Sequence, residues 1–264
     1  MPRAAVLGRP VGHSLSPALH SAAYIALGLT DWSYDAVECG ESGLAGFLDG
    51  LGPDWAGLSL TKPLKRAVLP LAHTASDLVR DVGAANTVLL SDRGRHIENT
   101  DVGAIVTLLR SADVSDPVIL GAGGTAAAAV AALRDLGASG MTVVVRNPAR
   151  AAELLAAAER LGVFVRLAEW PAVPESATTV ISTVPSDAET ALREHQWRPD
   201  STVFDVLYHP WPTVLATMAG AAGARVIGGW DLLLHQAARQ VSLMTGRPAP
   251  LEAMRSALAA VRAG

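Results

Sequence analysis

Apolar runs and helical spacings take turns along this chain. Ala4–Leu7 is a short apolar run that reads as a strand, and after Ser16-Pro17 the residues Leu19, Ala22, Ala23, Ala26 and Leu27 recur at helical spacing. Trp32–Val37 alternates as a strand, Leu44–Leu51 has helical spacing, and Trp55–Leu60 reads as a strand again. Pro63 sits where a first helical turn tolerates it. Thr74–Val82 is expected to be helical, and Thr87–Leu90 and His96–Glu98 flank Asp92-Arg93-Gly94 as a hairpin. A helix starts at Val102 and ends near Arg110, where the polar stretch Ser111–Pro117 forms a candidate domain boundary.

The second half is more regular. Strands are expected at Val118–Leu120, Met141–Val145, Val163–Leu167, Thr178–Thr183, Thr202–Val206 and Arg225–Ile227. Helices separate several of them: one from Gly124 through Leu136, then Ala151–Leu161 and Val214–Ala222. Strands alternating with helices predict a parallel sheet covered on both faces. Two helices close the chain, Leu232–Thr245 and Pro250–Arg262.

Composition narrows the class. The 264 residues suit one large domain or two modest ones at roughly 100–200 residues each. With 50% hydrophobic and 17% charged residues, the chain can bury a core and is no disordered segment. A net charge of −4 gives no electrostatic footprint for nucleic acid. The single cysteine, Cys39, excludes an internal disulfide framework and a cysteine-rich zinc site. The longest apolar tract, Thr125–Leu133, falls short of the ~20 residues of a membrane span. The expectation is a soluble cytoplasmic protein with no nucleic-acid or membrane partner.

The first chemical signal is Gly121-Ala122-Gly123-Gly124-Thr125-Ala126, which follows a strand and opens a helix. Glycines let the backbone approach a pyrophosphate whose charge the helix N-terminus stabilises. The bland alternative is a glycine-rich turn without a ligand. A fold preferring NAD usually ends the next strand in an acid that accepts from the ribose 2′-hydroxyl. Here Val143-Val144-Val145 ends in Arg146-Asn147-Pro148-Ala149-Arg150, with no acid before Glu153. Arginines and an asparagine amide suit a 2′-phosphate instead, so the cofactor is expected to be NADP. Arg150 reads equally well as a solvated helix residue.

The first half carries polar groups that a cofactor domain does not explain. Ser14 and Ser16 stand at the N-terminus of a helix, a place fit for a carboxylate; plain capping by Ser16 with Pro17 at the first helical position reads as well. Lys65 follows a strand end, and Asn99-Thr100-Asp101 precedes a helix. A lysine and an aspartate near strand ends can serve proton transfer beside a hydride acceptor, although each alone is commonly a surface charge or a cap. The helix start disfavours a second positive charge at Lys65, while Asp101 nearby would favour it, so the direction of any pKa shift stays open.

These residues belong to seven ordered blocks. They are Gly8–Pro17 with its Gly-x-Pro-x-x-His-Ser-x-Ser-Pro pattern, Thr61-Lys62-Pro63-Leu64-Lys65, Gly83-Ala84-Ala85-Asn86-Thr87 and Asn99-Thr100-Asp101-Val102-Gly103. The turn Gly121–Ala126 follows, then Asp205-Val206-Leu207-Tyr208-His209-Pro210, and last Gly229–Ala237. In these blocks the chain resembles the shikimate dehydrogenases nearly end to end. The resemblance implies NADPH-dependent, reversible reduction of 3-dehydroshikimate to shikimate, a step of aromatic amino-acid biosynthesis. It implies an α/β fold with two domains. Residues 1–101 and 232–264 would form a substrate domain on a mostly parallel sheet, and residues 102–231 a Rossmann-type doubly wound NADP domain.

Carried over residue by residue, the resemblance assigns Ser14 and Ser16 to the shikimate carboxylate. Lys65 becomes the acid/base with Asp101 beside it. Thr61, Asn86, Asp101, Tyr208 and Gln236 contact the ring and its hydroxyls. Gly121, Ala122, Gly123, Gly124 and Thr125 cradle the pyrophosphate, and Arg146, Asn147 and Arg150 take the adenosine end. Val206, Gly229 and Leu232 lie near the nicotinamide, with Asp77 close to it. No metal is implied, and His13, His20 and His235 lack the cluster a metal would need. The residues do not give the oligomeric state, and a homodimer is compatible with them.

The chain departs from the family at a few places. Asn-Arg-Thr is frequent after the second cofactor strand, where Val145-Arg146-Asn147 stands, and the threonine hydroxyl is missing. Ser59 replaces a common asparagine, Leu232 a methionine and Ser21 an asparagine. Three alternatives stand beside the reading. A quinate/shikimate dehydrogenase commonly prefers NAD, against which Arg146 and the paired serines argue. A methylene-folate dehydrogenase lacks the Ser-x-Ser segment. An inactive NADP-binding regulatory module would lose the lysine–aspartate pair, and both residues are present.

Overall fold

The computed structural model describes residues 1–263. They fall into two compact units, one of residues 1–80, 84–100 and 233 onward, the other of residues 81–83 and 101–232. Asp101 and Leu232 therefore belong to the second unit.

The first unit contains strands β1 (Arg3–Gly8), β2 (Ser33–Glu38), β3 (Trp55–Leu60), β4 (Thr74–Ala75), β5 (Thr87–Ser91) and β6 (Gly94–Glu98). They form one sheet in the order β2-β1-β3-β5-β6-β4. Three neighbouring pairs are parallel, β1 with β2, β1 with β3 and β4 with β6. The β3–β5 and β5–β6 pairs are antiparallel, so the sheet is mixed and parallel-rich. β1 is buried on both faces, as a central strand with helices above and below must be. Ala5 and Leu7 join a cluster with Leu44, Leu58, Leu60 and Val88. The alternate positions Ala4 and Val6 join Val11, Tyr24, Tyr34 and Met244 on the other side.

Helix α1 (Ser16–Ala26) follows β1 and packs on α10 (Leu251–Ala263), while α2 (Glu41–Asp49) and the short α3 (Leu64–Ala67) flank β3 in the chain. The expected helix Thr74–Val82 is shorter than its spacing suggested. Thr74 and Ala75 pair with His96 and Ile97 of β6 instead. Ser76 then caps α4 (Asp77–Val82), its Oγ accepting from Val79 N at 3.3 Å.

The second unit holds β7 (Pro117–Leu120), β8 (Gly140–Val145), β9 (Phe164–Glu169), β10 (Thr179–Ser182), β11 (Thr202–Asp205) and β12 (Arg225–Ile227). All pairings are parallel, in the order β12-β11-β10-β7-β8-β9. This is a doubly wound sheet whose winding reverses between β7 and β10, and ligands of such sheets bind at the carboxyl ends of those strands. Its helices are α5 (Asp101–Leu109), α6 (Gly124–Asp135), α7 (Ala152–Leu161) and α8 (Val214–Ala221). α6 is buried from Ala126 to Leu133 without a break. Its alanines suit close packing against α5 on one side and α7 on the other. The chain then enters α9 (Gly229–Thr245), which the unit boundary divides after Leu232. No helix among the described residues is long and apolar enough to cross a membrane.

Candidate active site

In the first unit the strand ends bring four separate blocks together. Arg9 N donates to Lys62 O at 2.9 Å, and Thr61 N donates to Leu7 O at 2.9 Å. A Cβ at Gly8 would stand 2.2 Å from Thr61 Cγ2, so only glycine lets the serine-bearing loop lie against the Thr61–Lys65 turn. Ala85 N donates to Lys65 O at 2.8 Å, and Leu60 N donates to Asn86 O at 2.7 Å, fixing Lys65 and Asn86 to the same end of β3.

The serines take different parts than plain capping by Ser16 would require. Ser16 is the first residue of α1 and is buried; the Ser14 Oγ accepts from Ser16 N at 3.3 Å. Ser14 thus takes one backbone N–H at the start of the helix, which has no side-chain cap.

Asn86 is the centre of a buried, uncharged cluster. Its Nδ2 donates to Thr100 Oγ1 at 2.9 Å and to Gln236 Oε1 at 3.4 Å, and its Oδ1 accepts from Thr100 N at 2.8 Å. Gln236 reaches this point from α9, where its Nε2 donates to Leu233 O. Amides and hydroxyls held this way offer donors and acceptors of fixed direction, which is what a polyhydroxylated ring needs. Asp101 opens α5 and is buried, whereas Asp77 opens α4 at the surface with its carboxylate on Arg80.

Sequence reasoning missed a second layer here. Tyr34 OH donates to Ser59 Oγ at 2.6 Å, Ser59 Oγ donates to Gln240 Oε1 at 2.8 Å, and Gln240 Nε2 donates to Thr87 Oγ1 at 3.0 Å. His20 stacks on Tyr34 with ring centroids 3.9 Å apart. Burial pushes the His20 imidazole down to about 3 and the Tyr34 phenol well above its ordinary range, so both rings are neutral. The only sequence hint was polar residues at core-facing positions of strands and helices.

In the second unit the Gly121 turn fits a pyrophosphate. Gly121 has φ +102°, and a Cβ there would meet Thr183 Oγ1 at 2.6 Å. Gly123 caps α6 with no side chain, and a Cβ there would meet nothing within 4 Å. The N-terminus of α6 thus carries no side-chain cap, and no acid stands in its first turn to repel an anion. Ala122 and Thr125 flank these positions.

Arg146, Asn147 and Arg150 follow β8 and are all exposed. Asn147 Oδ1 accepts from Ala149 N at 3.0 Å, so its oxygen is committed to the turn and only its amide donors are suited to an anion. Gly229 lies close against Val206, since a Cβ would fall 2.1 Å from Val206 O. That contact joins Val206 to the start of α9, which also carries Leu232. Tyr208 packs on Trp230 at 5.4 Å, and burial raises its phenol.

Beneath Val206 lies an acid pair that the sequence did not reveal. Asp205 and Glu189 are both fully buried. Asp205 accepts from Leu207 N at 3.0 Å and from Thr213 Oγ1 at 2.6 Å, while Glu189 accepts from Leu215 N at 3.2 Å. Burial and the neighbouring Asp205 push Glu189 up to about 8, and Asp205 is also raised by burial. Among the described residues, no three His, Cys, Asp or Glu side chains stand together as a metal site.

Residues 6–88 match the family model of the shikimate dehydrogenase substrate binding domain, and residues 229–259 match that of the shikimate 5'-dehydrogenase C-terminal domain. A curated NADP(+) shikimate dehydrogenase of Halobacterium salinarum is 38% identical over 97% of both chains. The crystal structure of Mycobacterium tuberculosis shikimate dehydrogenase superposes with a TM-score of 0.91 at 43% identity, covering 98% of this chain and 100% of the other. Shikimate 5-dehydrogenase from Thermus thermophilus, solved in complex with NADP(H) and shikimate, has a TM-score of 0.83 at 30% identity, covering 98% and 99%. With full-length similarity of this order, two matching domain models and the same architecture, the chain belongs to the shikimate dehydrogenase family.

Proposed function

We propose that the chain reduces 3-dehydroshikimate to shikimate reversibly with NADPH, using Lys65 as the acid/base. The observation that carries the assignment of roles is the buried cluster of Asn86, Thr100 and Gln236, fixed to the same strand end as Lys65. Such a cluster holds hydroxyls without adding charge to the ring. Ser14 and Ser16 bind the carboxylate, and Thr61, Asn86, Gln236 and Tyr208 orient the ring. Lys65 gives its proton to the oxygen that becomes the alcohol and takes it back in the reverse direction. Asp101 acts beside that lysine and touches a ring hydroxyl.

When bound, NADP supplies the hydride equivalent at its nicotinamide. Residues Gly121 to Thr125 hold its pyrophosphate, and Arg146 and Arg150 its 2′-phosphate with the Asn147 amide. Val206, Gly229 and Leu232 pack near the nicotinamide, with Asp77 close to it. The same reading has the enzyme acting in the cytoplasm, a homodimer being compatible with it, and light scattering on the purified protein gives the oligomeric state.

The test is absorbance at the nicotinamide band with shikimate or quinate, each with NADP and NAD. Shikimate with NADP is expected to be the fastest pair. Quinate with NAD turning over as fast overturns the assignment, and no turnover with any pair makes the chain a binding module.

A further inference from the structure

Thr213 is assigned to no ligand, yet its hydroxyl holds the base of the segment that carries Val206. It is the N-cap of α8, and its Oγ1 accepts from Ala216 N at 3.0 Å. A backbone N–H can only donate, so the proton of the hydroxyl is left for another acceptor. That acceptor is Asp205 Oδ2, at the short distance of 2.6 Å. The other oxygen, Asp205 Oδ1, accepts from Leu207 N at 3.0 Å. Asp205 thus ties the start of α8 to the chain just past the end of β11, and residues 206–212 form a loop closed at its base.

This clasp is anchored on both sides. Asp205 and Thr213 are buried, so water does not compete for their bonds. Thr217 N donates to Thr213 O at 3.0 Å, and Leu215 N donates to Glu189 Oε2 at 3.2 Å. Leu215 and Ala219 of α8 share a core cluster with Val203 of β11. Toward the loop, the Leu207 peptide is held at both ends, its N–H by Asp205 and its carbonyl by Gly229 N at 3.0 Å. Val206 N donates to Ser182 O at 3.1 Å. A Cβ at Gly229 would fall 2.1 Å from Val206 O and 2.7 Å from Leu207 C, so this backbone has no room to move toward α9. The Asp205 side of the clasp sets how far it can move the other way.

We propose that Thr213 is a positioning residue for the nicotinamide end of the cofactor, acting through Asp205 on Val206 and Leu207. With the clasp shut, the backbone of Val206 and Leu207 keeps one place against the ring that gives up the hydride. A misplacement of about 1 Å costs up to about 10²-fold in rate, so a segment free to drift slows the transfer. The adenosine end, assigned to the Gly121 turn and Arg146, is untouched. The proposal rests on the reading of Val206 as a neighbour of the nicotinamide, and the experiment separates the two.

The test compares wild type with Thr213→Val, which keeps the branched shape and deletes the hydroxyl, and with Thr213→Ser, which keeps the hydroxyl. In the cofactor-free protein, amide hydrogen exchange at Leu207 and Gly229 should be faster in Thr213→Val, while exchange in β8 stays as in wild type. By calorimetry the Kd for NADP should rise about fivefold, as loss of one hydrogen bond does. The Kd for adenosine 2′,5′-bisphosphate, which has no nicotinamide, should not move. The kcat should fall about tenfold, and Thr213→Ser should restore all of these values.

Equal weakening of NADP and the bisphosphate, or unchanged exchange at Leu207, overturns the role of Thr213 alone. Should Thr213→Val fail to fold, Asp205→Asn decides the matter. It keeps an oxygen for Leu207 N and turns an amide donor toward Thr213, so the hydroxyl can no longer donate there. The same split between NADP and the bisphosphate is expected, and a wild-type ratio of the two Kd values overturns the proposal. Val206→Trp fills the place assigned to the nicotinamide and should lose affinity for NADP while keeping it for the bisphosphate. A Val206→Trp protein that binds NADP as wild type does overturns the nicotinamide reading, and this proposal with it.

Discussion

The two units bury different kinds of polar group. In the first, the interior network is neutral: hydroxyls of Tyr34, Ser59 and Thr87, amides of Asn86 and Gln240, and an imidazole, His20, that burial holds unprotonated. In the second, the interior holds two carboxyls, Glu189 and Asp205, with Glu189 raised to about 8. The difference follows the work each unit does. A site for a hydroxylated ring gains from dipoles of fixed direction, and a buried charge beside it would bind water or the wrong partner. The acid pair instead joins β11, the segment after it and the start of α8, through bonds to Leu207, Thr213 and Leu215. One unit orients a substrate, and the other braces the loop that carries Val206 and Tyr208.

The largest expected effect tests the chemical side of this contrast. Lys65→Met keeps the packing of the stem and removes the proton donor. It should lower kcat by roughly 10²–10⁴-fold while the shikimate Kd, measured separately by calorimetry, stays near wild type. Turnover near the wild-type rate would mean that the first unit positions substrate without supplying the proton.

On the cofactor side, Arg146→Asp puts an acid where β8 ends in exposed bases. A charge-assisted bond is worth about 1.5–3 kcal/mol, so kcat/KM with NADP should fall roughly tenfold to 150-fold, with NAD less affected. Equal losses with both cofactors would remove Arg146 from the 2′-phosphate.

The next two effects are on stability rather than turnover and carry opposite signs, which sharpens the contrast most directly. His20 has a folded pKa of about 3 against 6.5 when unfolded, so between those values the unfolded chain holds one more proton. Stability should therefore fall as pH drops through that window, by about 1.4 kcal/mol per unit from this group. His20→Phe keeps a ring on Tyr34 and should flatten that acid limb in thermal melts. Unchanged acid sensitivity would place the proton elsewhere.

Glu189 runs the other way. Its folded pKa of about 8 lies above the ordinary 4.5, so the folded chain holds the extra proton in that range. Stability from this group is complete below 4.5 and declines as pH rises toward 8, again by about 1.4 kcal/mol per unit at most. Glu189→Gln cannot ionise and should melt at a temperature that no longer declines over that window. A steeper decline in the variant would show that the glutamate is ionised and paired in the native fold.

Much of the second unit was legible from sequence because its signals are local. Strand runs such as Val143–Val145 are apolar on both faces, the Gly121 turn needs a positive φ, and the residues after β8 show their charge directly. The first unit was less legible at Thr74–Ala75. Helical spacing there lost to two ladder pairs with β6, because a free sheet edge gains more from pairing than a short helix gains from its first turn. The bond from Ser16 N to Ser14 Oγ was hidden for a similar reason, since it depends on how the loop from Val11 closes, where Ser14 N donates to Val11 O.

The sequence by itself determined the alternation of strands and helices, the anion-ready turn, the basic end of β8 and the chemistry-bearing blocks. Each of these depends on residue type at fixed short spacing, which backbone geometry converts directly into structure. Only the tertiary structure decided strand order, the partnering of Asn86 with Gln236, and the chain of bonds through Tyr34, Ser59, Gln240 and Thr87. Ser59 and Gln240 are 181 residues apart, and nothing in either local pattern names the other. Glu189 and Asp205 became a pair only when folding brought the turn after β10 against the end of β11 and removed both acids from water. Burial and proximity are properties of the packed chain, and they set which polar groups stay neutral, which share a proton and which face a ligand.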